Sequence, residues 1–160
     1  MQLDIFDSHA HYDSEAFEED RDAVLASLPE KGVFRVINCG SDLENSRFSI
    51  QLAHTYSFMY AAVGIHPECV REAPADWKAH LEPLLQDPKT VALGEIGLDY
   101  HWKENAPRDQ QKLFLEAQLQ MAQEHSLPVI LHDRDAHGDT MRILQKYRPR
   151  GVIHCFSGSV

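Results

Sequence analysis

The sequence is short of cysteine, of basic charge and of long apolar runs, and each shortage closes off a class of protein. Its three cysteines, Cys39, Cys69 and Cys155, are odd in number and scattered, with no C-x-x-C pair. That argues against a disulfide framework and against a thiolate zinc site. Cys39 and Cys155 close apolar runs and read as small core residues near strand ends. Only 15 Lys and Arg stand against 25 Asp and Glu, a net charge of −10. A broad basic surface for nucleic acid is therefore not expected, although bound metal ions could still neutralise a phosphate locally. No apolar run reaches the ~20 residues of a membrane span, so no membrane partner is expected. The start "MQLDIFDSHAHYD" has neither a basic flank nor an apolar h-region, so no secretory signal is expected and the chain reads as cytoplasmic. Linkers and low-complexity tracts are missing too, and residues 1–160 are expected to form one unit.

Strand-like runs alternate with amphipathic stretches. The runs "LDIFDSH", "FRVINC", "FMYAAVGI", "TVALGEI", "LPVILH" and "GVIHCF" begin near Leu3, Phe34, Phe58, Thr90, Leu127 and Gly151. Between them, Ser14 is a reasonable N-cap for a helix carrying Phe17, Val24, Leu25 and Leu28 on one face, with Gly32 as its stop. Further helices are expected near Glu44–His54, Pro74–Leu85, Pro107–His125 and Gly138–Tyr147, the third with Leu113, Phe114, Ala117 and Met121 on its apolar side. Such alternation implies a parallel α/β sheet, either doubly wound or part of a (β/α)₈ TIM barrel.

The polar residues decide between these two. His9 and His11 end the first run, two apart, and so project to one face of a strand. Glu95 ends the fourth, His132 the fifth, and His154 lies near the end of the sixth. Taken singly, each has a plain structural reading as a hydrogen-bonded core residue or a chance pair. Together they fall at the same strand end, where a barrel gathers them at one mouth and an open sheet strings them along an edge. Metal chemistry needs them gathered, so the barrel is the better reading. His66, held before Pro67, reads as a substrate contact, and Arg134 as an anion contact unless it pairs with Asp133 or Asp135. His54, His80 and His125 sit in helical stretches and read as surface residues, while His101 and His137 could reach the rim.

The stretches "DSHAH", "AAVGIHP", "ALGEIGLDYH", "QLQMAQEHSLPVILHDRDA" and "GVIHCFSG" resemble, in order, the TatD family of metal-dependent hydrolases in the amidohydrolase superfamily. The resemblance implies a (β/α)₈ barrel with one or two divalent metal ions (Mg²⁺, Mn²⁺ or Zn²⁺). It implies His9, His11 and Glu95 at the first metal, Glu95 as the catalytic, metal-bridging carboxylate, and His132 and His154 at the second. His66, Asp99, Tyr100 and Arg134 would face the substrate. The activity implied is hydrolysis of DNA phosphodiester bonds, on single strands or 3′ ends. Aminoacyl-tRNA deacylation, lactone or amide hydrolysis and a non-catalytic metal-binding fragment are the alternatives. Two metals about 3.5–4 Å apart suit in-line displacement at phosphorus.

The family also carries an Asp on a last strand that has no counterpart here. About six of eight βα units are present, against the roughly 200–250 residues or more that a whole barrel takes. The chain is therefore expected to be a C-terminally truncated form, impaired when alone, unless a second chain covers the open barrel edge.

Overall fold

The computed structural model describes residues 4–158. All six expected strands form: β1 (Ile5–Ala10), β2 (Val33–Cys39), β3 (Met59–Val63), β4 (Thr90–Asp99), β5 (Val129–Arg134) and β6 (Gly151–Ile153). Leu3, where the first was expected to begin, lies outside the described residues. Every neighbouring pair is parallel and the spatial order is β1-β2-β3-β4-β5-β6. A doubly wound sheet reverses its strand order at a switch point. This one does not, and it curls as an incomplete TIM-barrel wall.

Helices α1 (Arg21–Ser27), α2 (Leu43–Thr55), α3 (Trp77–Leu85), α4 (Arg108–Glu124) and α5 (His137–Tyr147) fill the crossovers. Asp42 starts α2 by accepting the Asn45 N–H at 2.7 Å. The single helix expected from Ser14 to Leu28 is broken. Ser14 caps only a 3₁₀ turn over Glu15–Phe17, and α1 begins after Asp20 with Leu25 as its one buried residue. The acidic run between them offers too little apolar surface to hold a continuous helix against the sheet. Arg21 instead ties the segment back, donating to the carbonyls of Tyr12 at 2.6 Å and Ser14 at 2.9 Å.

The main core lies between sheet and helices, with Val36, Met59, Val63 and Leu93 against Leu81, Leu115 and Leu119. Each such side chain contributes about 1.5–3 kcal/mol on burial. A smaller cluster, Cys39, Ala62, Ala92 and Ile130, occupies the alternate face of the strands. Beside it an apolar hollow of about 400 Å³ opens among Phe6, Ile37, Tyr60, Val91 and Val152.

Three local expectations need correction. Leu113 is 69% exposed, and the buried stripe of α4 is Gln111, Leu115, Gln118, Leu119 and Ala122 with Met121. Two glutamines occupy sheet-facing positions, which turned the expected apolar face away from the true one. β4 runs on past the apolar run to Asp99, so Glu95 lies within the strand rather than at its end. In contrast, β6 ends at Ile153, so Cys155 falls in the following turn and is exposed rather than in the core.

Candidate metal centre

Glu95 sits at the middle of β4 at 3% exposure, and four imidazoles from three other segments converge on it. One carboxylate oxygen, Oε2, faces the Nε2 atoms of His9 at 2.8 Å and His11 at 3.4 Å. The other, Oε1, faces His132 Nδ1 at 3.1 Å and His66 Nε2 at 3.9 Å. The two sets, His9–His11–Glu95 and His66–Glu95–His132, each bring their ligand atoms within 4.8 Å of one another. No Lys or Arg pairs with Glu95 among the described residues. A buried carboxylate surrounded only by imidazoles is a donor set suited to Zn²⁺, Mn²⁺ or similar ions.

Burial alone would raise the Glu95 pKa, but hydrogen bonds with His11, His132 and His9 hold it far below the usual carboxylate range. The same bond raises His11. Burial pulls His132 down, yet its contacts with Glu95 and Asp99 more than offset this and leave it raised. His66, buried, is pushed down to about 4. Only neutral imidazoles bind a metal. A metal ion held by these residues would therefore have to displace protons that His11 and His132 retain above the ordinary histidine value of 6.5. Divalent-metal affinity is expected to fall as pH drops through a window that opens above 6.5, approaching about a hundredfold per pH unit once both protons compete. His66 adds no proton step until about pH 4. Titration calorimetry with Mn²⁺ from pH 8 downward checks this, and a flat affinity would contradict it.

Asp99 is fully buried. Its Oδ2 lies 3.0 Å from His132 Nε2, and its Oδ1 accepts the N–H groups of His101 at 2.9 Å and Trp102 at 3.4 Å. It orients His132 in the manner of a carboxylate behind a metal-binding histidine. Tyr100 is turned away, its hydroxyl donating to Asp139 at 2.7 Å and its ring under Arg108. His154 lines the same basin of about 810 Å³, but its ring stacks on His9 with centroids 3.5 Å apart and it joins neither ligand set. Arg134 also lines that basin. Its flanking carboxylates go elsewhere, Asp133 to His137 and Thr140, Asp135 to His101. His54, His80 and His125 pair with Asp87, Asp76 and Glu82, away from the centre.

Two supporting residues were not singled out in the sequence. Gln118 accepts the Ile65 N–H at 2.7 Å and donates to the Ile65 carbonyl at 3.1 Å, fixing the backbone one residue before His66. Gln111, seven positions earlier on α4, does the same for Asp99, accepting its N–H and donating to its carbonyl at 2.9 Å each way. Both are 1% exposed. Gln118 opens one of the stretches that carry the family resemblance, and otherwise their sequence signal was polarity at helical spacing on a face that should pack on the sheet. Gln118→Leu leaves both Ile65 groups buried without partners and is expected to destabilise the fold by about 2–4 kcal/mol. Gln118→Glu keeps the acceptor but buries a carboxylate against the Ile65 carbonyl, so it should lose less only at acid pH, where the protonated acid can also donate. Denaturant melts of the two variants provide the measurement.

A curled parallel sheet with a histidine–carboxylate centre at its strand ends defines the class of barrel-type metal-dependent hydrolases. Residues 6–160 match the family model described as "TatD related DNase", and the chain belongs to that family. It is 35% identical over 158 residues to the metal-dependent hydrolase YabD of Bacillus subtilis, covering 97% of this chain and 62% of that protein. The deoxyribonuclease Tat-D of Schizosaccharomyces pombe is 37% identical over 156 residues, covering 89% and 50%. The 3′-5′ ssDNA/RNA exonuclease TatD of Escherichia coli K12 is 34% identical, covering 97% and 60%. Among solved structures, the TatD homologue YJJV of Escherichia coli K12 superposes with a TM-score of 0.92 at 34% identity, covering 99% of this chain and 62% of that one. The chain thus spans 50–62% of the length of these relatives. Their remaining length belongs to the same chain, which lends no support to a second chain at the open edge.

Proposed function

We propose that this chain carries the metal-binding wall of a divalent-metal-dependent phosphodiesterase acting on single-stranded DNA, from its ends. The observation that carries the reading is the division of Glu95, whose two oxygens each face a different pair of imidazoles. That division suits a bridging carboxylate between two ions, with His9 and His11 on one side and His132 and His66 on the other. His154 is proposed as a further ligand, which requires its ring to leave the stack on His9. Mg²⁺, Mn²⁺ and Zn²⁺ all suit this mixed donor set. When bound, such ions supply Lewis-acid charge at the phosphate and to the attacking water.

The protein's own groups supply the rest. Asp99 holds His132 in one orientation, and buried Gln118 and Gln111 hold the backbone on which His66 and Asp99 sit. Arg134, without a carboxylate partner among the described residues, presents forked donors to a phosphate from the end of β5. Such local recognition suits an acidic protein that binds a polyanion at one point rather than along a basic surface. The names of relatives, deoxyribonuclease and ssDNA/RNA exonuclease, point the same way.

The test is a substrate ratio rather than an absolute rate. Labelled single-stranded oligonucleotide, aminoacyl ester and lactone are each incubated with the purified chain, with and without Mn²⁺. Metal-dependent, chelator-sensitive release of nucleotides above any acyl cleavage is expected. Cleavage of an acyl substrate with the oligonucleotide intact would overturn the proposal.

A further inference from the structure

Trp102 has no role in the metal centre, yet it is 45% exposed in the loop between β4 and α4. Most other exposed large apolar side chains have a simple location. Ile5, Phe6, Phe34 and Val152 lie on β1, β2 and β6, at or beside the open edges of the sheet, and Leu113 and Met141 lie on outer helix faces. Trp102 lies instead beyond the carboxyl end of the fourth of six strands, on the side where the imidazoles converge.

Its surroundings are organised. His101 meets it edge-on, with centroids 4.7 Å apart at 90°, and the Arg134 guanidinium sits 5.8 Å from its ring centroid. Both neighbours line the metal basin. Asp99 ties this arrangement to the centre directly: one oxygen receives the His101 and Trp102 N–H groups, while the other contacts His132. An exposed indole beside a carboxylate-free arginine combines a stacking surface with phosphate donors, the two elements that proteins use to hold single-stranded nucleic acid.

We propose that Trp102, with His101 at its edge and Arg134 beside it, is a stacking platform for one nucleobase of a single-stranded substrate whose phosphate enters the basin. This rests on the nuclease reading and adds to it a base-binding position that tolerates any sequence, because every base offers a π-face.

Fluorescence separates the two claims. Trp77, the other tryptophan, is 6% exposed and stacked on Phe114, so an added oligonucleotide reads out Trp102. The intact chain with Mg²⁺ is titrated with a short, hydrolysis-resistant phosphorothioate oligothymidylate, and with an oligomer of the same length lacking bases. Binding is followed by quenching and, independently, by anisotropy of a labelled oligomer. Quenching is expected with bases only. Trp102→Ala should weaken binding about tenfold or more, Trp102→Phe much less, and the base-free oligomer should bind the Ala variant and the unsubstituted chain alike. If anisotropy shows tight binding without quenching, or with the Ala variant unaffected, the platform is overturned and the nuclease reading stands. If the unsubstituted chain binds neither oligomer, both are overturned.

Discussion

Glu95→Gln is expected to weaken divalent-metal binding by well over about a hundredfold while leaving the chain folded. Removing a residue behind a metal ligand already lowers affinity about 10–100-fold, and Glu95 stands at the centre of both candidate ligand sets. The amide has nearly the same volume, and its oxygen still accepts a hydrogen bond from one imidazole. What disappears is the negative charge that four histidines face. The free chain should respond in step: the carboxylate raises His11 and His132, so both should release protons at lower pH in the variant. Titration calorimetry with Mn²⁺ and an NMR titration of the histidine ring protons measure the two effects. Unchanged metal affinity with displaced histidine titrations would mean that Glu95 is only an ion-pair partner.

Gly97→Ala should cause the largest loss of stability among single changes near the site. Gly97 has φ +156°, and a Cβ built there would meet the His132 carbonyl oxygen at 1.9 Å and its carbon at 2.7 Å. The obstacle is backbone, so no side chain can rotate away from it. β4 and β5 would have to separate where Gly97 pairs with His132, displacing a proposed metal ligand. A loss of about 3 kcal/mol or more is expected, or roughly 6–12 °C in melting temperature for a chain of this size. Circular dichroism melts supply the number, and a melting point within a degree or two of the unsubstituted chain would contradict the register described here.

These two residues mark how much was legible beforehand. Glu95 stood out because a carboxylate closing the apolar stretch "TVALG" needs a partner, and the histidines ending other runs supplied it. The strand count followed from the six apolar runs, the choice of barrel over doubly wound sheet from where the polar residues fall on them, and the sequential order of six strands bears both out. What stayed hidden was set by neighbours far away in the chain. Gly97 looks like any turn glycine until β5 lies beside it. Gln111 and Gln118 look like exposed polar positions until Asp99 and Ile65 present their backbone groups. The interruption between Ser14 and α1 depends on Arg21 reaching back to Tyr12, which no helical periodicity reveals. The roles of Asp99 and Tyr100 could not be separated from spacing, because adjacent residues at a strand end face opposite ways: one supports His132, the other turns to Asp139.

The central claim is that Glu95 is shared between two cation positions. Crystals of the chain soaked in Mn²⁺ and measured at the manganese absorption edge test it most directly. The account predicts anomalous peaks on both sides of the carboxylate, one within bonding distance of His9, His11 and Oε2, the other near His132, His66 and Oε1. A well-ordered Glu95 still hydrogen-bonded to its imidazoles, with manganese absent or bound only at surface carboxylates, would contradict it.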